Sequence, residues 1–271
     1  MPELPEVETI RRQLQQIYRG ETISSIEVNA SKILKGVDTD NFVKALKNKT
    51  IKDFYRHGKN LFFDCRDIYP IFHLGMSGIF LKNRDDSLYP KHIHIEFNFL
   101  SGKELYYQDM RKFGKVWLSK NKPRFDNLGI DPMDEKFSLN TFKKLLTSKN
   151  MNIKLFLMDQ ALIAGIGNIY ANEILFQSGI SPFRKTRELV SSEMNNLYKA
   201  ILLILTEAID KYGTSYSAYR TVSGERGNNQ NFLKVYHRES KECFTCKEPV
   251  QKTILGSRST FYCRYCQRET L

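Results

Sequence analysis

The chain begins Met1-Pro2-Glu3, a sequence that could expose a reactive amine. A methionine before proline is normally removed, and the Pro2 nitrogen would then be an N-terminal secondary amine. An α-amino group has a pKa of roughly 7.7–8.0, so much of it is unprotonated near neutral pH. Such an amine can attack a sugar C1′ and form an iminium, while the adjacent Glu3 carboxyl exchanges a proton. The first residues are therefore candidates for covalent catalysis at the N-terminus, and an ordinary processed terminus is the alternative interpretation.

A helix must hold this amine in place. Apolar residues recur at helical spacing directly after it, at Val7, Ile10, Leu14 and Ile17. Glu6 would lie in the first turn of that helix, where the helix dipole favours a carboxylate. We therefore expect a buried helix to anchor the terminus, which would otherwise be a free tail.

Four cysteines near the C-terminus have the spacing of a metal site. Cys243-x2-Cys246 is followed by sixteen residues and then by Cys263-x2-Cys266. Two such knuckles bring four thiolates into a tetrahedron, and closed four-cysteine sites of this kind hold structural zinc. The residues between the knuckles should form a hairpin on which Arg258 presents positive charge. We predict one structural Zn²⁺ in this segment.

The composition favours a polyanionic partner. Lys and Arg number 42 against 30 Asp and Glu, which gives a net charge of +12. Nucleic acid is the first candidate partner and a membrane surface is the second. The longest wholly aliphatic run, residues 200–205, is too short to span a bilayer. No apolar signal region follows the N-terminus, so we expect a cytoplasmic protein without a membrane segment.

Hydrophobic periodicity predicts an α+β multidomain chain. From about residue 22 to 120 the period is mostly two, and residues 92–99 alternate strictly, which indicates a β-sandwich. His92 and His94 would share one strand face, as a polar face in preference to a metal site. After residues 127–135, which are rich in Gly, Pro and Asp, the period becomes helical. We predict a sandwich with flanking helices over 1–131, a helical domain over 132–234 and the zinc hairpin over 235–271.

A glycine-rich turn interrupts the helical region. Gly165-Ile166-Gly167-Asn168 precedes an apolar helical stretch, and glycines before a helix leave backbone N–H groups free. Free N–H groups at a helix start suit a phosphate. A tight turn between two helices is the alternative interpretation.

In combination, these motifs resemble the bacterial formamidopyrimidine-DNA glycosylases, of the family that includes endonuclease VIII. The resemblance covers essentially the whole chain. It depends on PELPEVE at the start, RHGK at 56–59, HLGMSG at 73–78, DMRKFG at 109–114, AGIGNIYANE at 164–173 and the terminal hairpin. It implies a helix–two-turn–helix in the helical domain, a C-terminal zinc ribbon and a monomeric enzyme.

The resemblance also implies a role for each matching residue. Pro2 would form the Schiff base, Glu3 would be the acid/base, Glu6 a supporting carboxylate, and Lys59 would contact phosphate and assist strand cleavage. Further DNA contacts would come from His92, Arg111, Lys154, Asn168 and Arg258. The void left by an extruded base would be filled by Met76, Arg111 and Phe113. Residues 214–224 would form the loop that covers that base.

The implied function is base-excision repair by a DNA glycosylase/AP lyase. It would remove 8-oxoguanine and formamidopyrimidines from double-stranded DNA, or act at abasic sites. It would then cut the DNA strand by β,δ-elimination. The enzyme would be associated with the nucleoid. One alternative is an endonuclease VIII-like enzyme for oxidised pyrimidines, against which Leu4 argues. A non-catalytic, zinc-dependent DNA-binding protein is the other. Ile79, Asn229 and His237 depart from the usual family residues and affect loop geometry more than chemistry.

Overall fold

The computed structural model describes residues 1–216 and 218–268 and divides the chain into two compact units. The first unit combines Met1–Phe125 with Ile209–Gln230. The second combines Asp126–Ala208 with Asn231–Leu271. The three-domain division made from the sequence stays a prediction.

The first unit contains two helices and two four-stranded antiparallel sheets. Its elements are α1 (Leu4–Tyr18), β1 (Ile23–Val28), α2 (Thr39–Leu46), β2 (Asp53–His57), β3 (Asn60–Asp64), β4 (Tyr69–His73), β5 (Gly78–Leu81), β6 (Ile93–Phe99), β7 (Glu104–Asp109) and β8 (Lys115–Ser119). The sheet orders are β1-β6-β7-β5 and β2-β3-β4-β8. This arrangement confirms the predicted sandwich with flanking helices.

Aromatic side chains from both sheets form the core of the sandwich. Phe63 and Phe72 come from one sheet, and Phe80, Phe97 and Tyr107 come from the other; all five are fully buried or nearly so. The ring centroids of Phe72 and Phe80 lie 5.0 Å apart. Residues two apart point to the same face of a strand, which is why alternation in the sequence predicted this core.

Strand β2 lacks the period-two apolar pattern from which the sandwich was predicted. Only Phe54 of its five residues is buried, so the strand has no alternating apolar signal. The strand forms instead because it pairs antiparallel with β3, from Asp53 opposite Asp64 to His57 opposite Asn60. The contact is tertiary, and a local pattern does not contain it.

A buried ion-pair cluster joins α1 to the turn after β2. The Glu8 carboxylate accepts hydrogen bonds from Arg11, from Arg12 and, at 3.0 Å, from Arg56 Nε. Arg56 Nη1 also donates to the backbone oxygen of Gly58 at 3.0 Å. Glu8 is 8% exposed, so this charge needs its partners to remain inside the protein. The cluster therefore fixes the β2–β3 turn against the N-terminal helix.

The second unit consists of helices and one hairpin. Its elements are α3 (Leu139–Thr147), α4 (Ile153–Met158), α5 (Asn168–Ser178), α6 (Ser191–Asp210), β9 (Gln251–Leu255) and β10 (Arg258–Tyr262); the end of α6 belongs to the first unit. Ser138 Oγ caps α3 by accepting from Thr141 N, and Gly179 ends α5 with φ +71°. In the described part of the chain, no helix is long and apolar enough to cross a membrane.

The Glu8 cluster predicts acid-dependent stability. Burial alone would raise the pKa of Glu8, but the Arg11 hydrogen bond and the Arg56 charge outweigh burial and lower this pKa to about 2. The stabilisation is complete above the ordinary glutamate pKa and is lost as the pH falls through about 2. At neutral pH, Glu8→Gln should lower the free energy of unfolding by about 2–3 kcal/mol.

Urea unfolding followed by circular dichroism at several pH values would measure this effect. Glu27→Gln, at an exposed glutamate of β1, is the matched control and should change little. The difference between wild type and Glu8→Gln should shrink as the solution is acidified below the ordinary glutamate pKa. A difference that stays constant down to strongly acidic pH would contradict the ion-pair explanation.

Candidate catalytic site and DNA interface

The structure brings Pro2, Glu3 and Glu6 together inside the first unit. Pro2 is buried, Glu3 is 3% exposed and Glu6 is 1% exposed. Glu6 Oε2 accepts from the backbone nitrogen of Glu3 at 2.7 Å, and Glu6 Oε1 accepts from that of Thr214 at 2.7 Å. Glu6 therefore holds the backbone of its neighbour Glu3 with one oxygen and a distant loop with the other.

That loop follows α6 and is fixed at its first residues. Gly213 has φ +76°, and a Cβ there would lie 2.9 Å from Glu6 Oε1, so the close approach requires glycine. The buried Tyr219 donates from its hydroxyl to the Tyr212 oxygen at 3.0 Å. Burial, with the nearby Glu6 charge, raises the pKa of Tyr219. Ser217, which belongs to the predicted base-covering loop, lies outside the described residues.

A cavity of about 590 Å³ opens beside the N-terminus. Met1 lines it, together with Met76 and Ser77 from the turn after β4, Gln108 of β7 and Arg220 of the loop. Ligand pockets of roughly 300–1,000 Å³ accommodate molecules the size of a nucleobase or larger. Apolar walls with a few polar groups suit a planar aromatic ligand.

Three residues expected to replace an extruded base lie on two adjacent turns. Met76 is 39% exposed and Phe113 is 52% exposed, which is unusual for large apolar side chains. The Arg111 guanidinium lies over the Phe113 ring, 4.6 Å from its centroid. A Cβ on Gly75, which has φ +60°, would lie 2.5 Å from the carbonyl carbon of Phe113, so the turns pack backbone to backbone.

The fully buried Asp109 fastens these two turns together. Ser77 Oγ donates to Asp109 Oδ1, and the backbone nitrogen of Gly114 donates to Asp109 Oδ2 at 2.7 Å. Ser77 Oγ in turn accepts from the backbone nitrogen of Arg111 at 3.0 Å. Sequence reasoning identified Asp109 only as part of a motif. Its position at the end of a strand carried no signal that it would bind donors from both turns.

Lys59 lies on the turn fixed by the Glu8 cluster. It is 7% exposed, and Arg56 holds the carbonyl of the preceding Gly58. Burial, together with the Lys59 charge, lowers the pKa of His73 on the neighbouring strand β4. The structure therefore places the ammonium in a restrained and largely buried position.

The two histidines that were expected on one strand face have different surroundings. His92 ends a short helical turn before β6 and is partly exposed. His94 is 2% exposed, and its Nε2 lies 2.8 Å from the Asp109 backbone oxygen. The strand begins at Ile93, so His92 is not a strand residue as we had expected. Only His94 belongs to the interior.

In the second unit, the glycine-rich turn is closed by Gln160. The Gly165 nitrogen donates to Gln160 Oε1 at 2.9 Å, and Gln160 Nε2 donates to the Ile166 oxygen at 2.7 Å. The expectation that this glycine leaves its N–H free was therefore wrong, because a side chain already uses it. Asn168, at the start of α5, donates from Nδ2 to the Ser259 oxygen of the hairpin at 3.0 Å.

Lys154 has no exposed surface. Its Nζ donates to the Ser259 oxygen at 3.0 Å and to Thr260 Oγ1 at 2.8 Å. Both acceptors lie within two residues of Arg258, which is exposed at the start of β10. The ammonium that was predicted to contact DNA therefore donates hydrogen bonds to a backbone oxygen and a hydroxyl group of the hairpin.

Sequence reasoning missed the function of Glu173, which anchors the segment before the hairpin. Its 2% exposed carboxylate accepts three backbone hydrogen bonds, from the nitrogens of Lys234, Val235 and Tyr236, at 2.8–3.0 Å. Burial raises the pKa of Glu173, and the three N–H groups oppose that shift. Only its place in the AGIGNIYANE motif could have indicated importance.

The four predicted cysteines form a compact group. The Sγ atoms of Cys243 and Cys266 lie 3.8 Å apart, those of Cys246 and Cys263 lie 3.3 Å apart, and all four lie within 4.8 Å. Tetrahedral Zn–S bonds of about 2.3 Å imply S···S separations of about 3.8 Å. Among the described residues this is the single group of side chains found to suit a metal ion, and its geometry fits one.

Comparison with known proteins agrees with this arrangement. Residues 1–116 match the family model for the formamidopyrimidine-DNA glycosylase N-terminal domain, and residues 128–219 match that for its H2TH domain. The chain belongs to the formamidopyrimidine-DNA glycosylase family. The family's enzyme from Halalkalibacterium halodurans is 39% identical over 99% of this chain and 100% of its own length. That from Lactobacillus delbrueckii subsp. bulgaricus is 37% identical over 99% and 100%.

Solved structures of this glycosylase family share the fold. Lactococcus lactis Fpg in complex with abasic-site DNA has a TM-score of 0.90 at 35% identity, over 98% of this chain and 99% of its own. A variant of that protein bound to Fapy-dG-containing DNA has a TM-score of 0.90 at 35% identity, over 98% and 100%. The α+β fold class predicted from the sequence is thereby confirmed.

The Asp109 contacts lead to a prediction for the turns of this family member. Asp109→Asn replaces a charged acceptor of several hydrogen bonds, so the turns carrying Met76 and Phe113 should lose their relative position. Excision of a paired oxidised purine, the activity implied by the sequence, should fall by about 10- to 100-fold, the equivalent of a charged hydrogen bond. Single-turnover kinetics would measure it.

The same substitution should matter less when the lesion lies in a mismatch, because a weakly stacked base is extruded at lower cost. Asp85→Asn, at an exposed aspartate, is the control for the chemical change. Equal losses on paired and mismatched lesions would show that Asp109 does not act through extrusion.

Proposed function

We propose that this family member is a bifunctional DNA glycosylase/AP lyase of base-excision repair that removes oxidised purines from double-stranded DNA. The observation that carries the proposal is the burial of Pro2, Glu3 and Glu6 together beside a base-sized cavity. The Lactococcus lactis relative, solved with abasic-site DNA and with Fapy-dG-containing DNA, supports the substrate class.

Base removal begins at the N-terminus. With Met1 in place the Pro2 nitrogen is an amide, so the reaction requires Met1 to be removed. The free Pro2 amine bonds to C1′ as the N-glycosidic bond breaks, and the base leaves with a proton. Glu3 protonates O4′ as the sugar ring opens, and the nitrogen lone pair forms the C1′=N iminium. Glu6 keeps the reacting residues in position through the Glu3 backbone.

Strand cleavage follows from the iminium, which acidifies C2′. Loss of a C2′ proton expels the 3′ phosphate oxygen, and a second elimination breaks the C5′–O bond. We assign proton transfer and phosphate contact in these steps to Lys59. Arg258 of the hairpin would bind the DNA backbone. Water then hydrolyses the iminium and restores the Pro2 amine.

DNA binding uses the excess of positive charge. A net charge of +12 supports sequence-independent contact with phosphates. Met76, Arg111 and Phe113 would enter the space left by the extruded base, where apolar wedges compensate for lost stacking. His92 and Asn168 would bind the backbone, whereas the buried Lys154 would act indirectly, by holding the hairpin.

We propose that the cysteine group holds one structural Zn²⁺. Cys243, Cys246, Cys263 and Cys266 would be its ligands, and the ion would supply folding energy to a hairpin too small for its own core. The proposed domains have separate roles. Residues 1–131 would carry out catalysis, residues 132–234 would bind the DNA backbone, and residues 235–271 would form the zinc ribbon. Acting on chromosomal DNA, the enzyme would work in the cytoplasm at the nucleoid, as a monomer.

Oxidised pyrimidines are a second candidate substrate class. Lactococcus lactis Fpg has also been solved in complex with DNA that contains an oxidised pyrimidine. The nucleophile attacks the sugar, which is the same for both classes of lesion. The two classes are distinguished by excision rates on matched duplexes.

The nucleophile is tested by replacing Pro2. Pro2→Gly should retain DNA affinity but lose most base excision, since a primary amine in a freer backbone replaces a restrained secondary amine. Borohydride trapping on a duplex with 8-oxoguanine opposite cytosine, followed by peptide mass spectrometry, should find the wild-type adduct on the N-terminal peptide. An adduct elsewhere, from protein whose Met1 is confirmed absent, would exclude Pro2.

Removal of the metal tests the ribbon. Cys246→Ser should release zinc, measurable by elemental analysis, and weaken binding to undamaged and damaged duplexes alike. Cys65→Ser is the matched control, because Cys65 belongs to the sandwich core and is not one of the four cysteines of the group. Normal DNA affinity in protein shown to be free of metal would refute the ribbon's proposed role.

A further inference from the structure

The cavity beside the N-terminus contains a polar side chain that has no role in the chemistry above. Gln108 is 3% exposed, lies on β7 opposite Ile79 and lines the cavity. Its neighbours on this face of the sheet are apolar: Ile79, Leu81, Ile93 and Tyr106. A buried amide in an apolar wall costs free energy unless its hydrogen bonds are made.

One half of this amide is held by Ser87. Ser87 Oγ donates to Gln108 Oε1 and accepts from the backbone nitrogen of Tyr89 at 3.1 Å. The hydroxyl proton is donated to Oε1, and the hydroxyl oxygen accepts from the Tyr89 backbone. In this arrangement the amide oxygen faces Ser87.

The other half of the amide is an available donor. Gln108 Nε2 has no acceptor in the described part of the chain, although the residue is almost wholly buried. The same cavity is lined by Arg220 of the loop and by apolar surface from Met110. The site therefore offers the Gln108 donor to a flat ligand held between apolar side chains.

We propose that Gln108 determines base specificity by donating from Nε2 to the C6 carbonyl oxygen of the extruded purine. This inference rests on the proposed function. When C1′ is held at the N-terminus, the C6 edge is the edge of the purine that lies away from the sugar. Guanine lesions present a carbonyl acceptor there, whereas adenine lesions present an amino donor. A fixed N–H donor therefore selects for guanine lesions.

Ser87 is a positioning residue in this arrangement. Without its hydroxyl the Gln108 amide could turn over and present its oxygen instead of Nε2. A threonine at position 87 would supply the same hydroxyl, so Ser87→Thr should preserve specificity and Ser87→Ala should reduce it. A purely structural role for Ser87 would not alter the choice between guanine and adenine lesions.

The test compares single-turnover excision of 8-oxoguanine and 8-oxoadenine, with cleavage of a preformed abasic site as reference. Gln108→Glu keeps the shape but exchanges the donor for an acceptor. Excision of 8-oxoguanine should fall by about 10- to 100-fold, because the buried hydrogen bond is lost and the new carboxylate faces the C6 carbonyl oxygen, which is also an acceptor. The rate ratio of 8-oxoguanine to 8-oxoadenine should fall by at least about tenfold. Abasic-site cleavage should stay within about threefold of wild type, because no base is present to read.

Gln16→Glu, at an exposed glutamine of α1, is the matched control and should leave all three rates unchanged. An unchanged lesion ratio in Gln108→Glu, or an equal loss on the abasic site, would overturn the proposed contact. Failure of the wild type on every substrate would refute the glycosylase function itself. The two failures are distinguishable, because only the second removes the abasic-site activity of the wild type.

Discussion

The buried Glu6 carboxylate is the constraint on which the catalytic end of the molecule depends. A charge that is 1% exposed must be compensated inside the protein, and two backbone N–H groups do so. One belongs to Glu3, beside the reactive terminus, and the other to Thr214, at the start of the loop. The Glu6 carboxylate thereby holds its own segment against Thr214, which is 208 residues away in sequence. The N-terminus and the loop that follows α6 therefore cannot be positioned independently.

The same device recurs at two other irregular segments of the chain. Asp109 binds donors from two turns, and Glu173 binds three consecutive backbone nitrogens. Turns lack the repeating hydrogen bonds of helices and strands, so a buried carboxylate supplies what the backbone does not. Lys154 does the converse for the hairpin, where an ammonium satisfies carbonyl and hydroxyl oxygens. Fixed irregular segments are what a binding site requires.

The sequence predicted what has a local signature. Alternation revealed the sandwich, and CxxC spacing located the cysteine group. Contacts between distant segments have no such signature: Ser77 and Asp109 are 32 residues apart, and Lys154 lies about a hundred residues before its acceptors. The free N–H expected at Gly165 failed for the same reason, because the Gln160 side chain occupies it. Motif resemblance named several of these residues but did not describe what they hold.

The chemistry proposed at Pro2 cannot by itself choose a lesion, because C1′ and O4′ are the same in every nucleotide. Selection must therefore precede the attack, at two stages with different physics. Extrusion favours bases that stack or pair poorly, and the turns fastened by Asp109 decide how well the void is refilled. In the proposed second stage the cavity selects among extruded bases. A lesion whose edge offers no acceptor would leave the buried Gln108 Nε2 donor unpaired, which costs free energy. An enzyme of this design keeps an indiscriminate nucleophile and places its discrimination in groups that never touch the bond being broken.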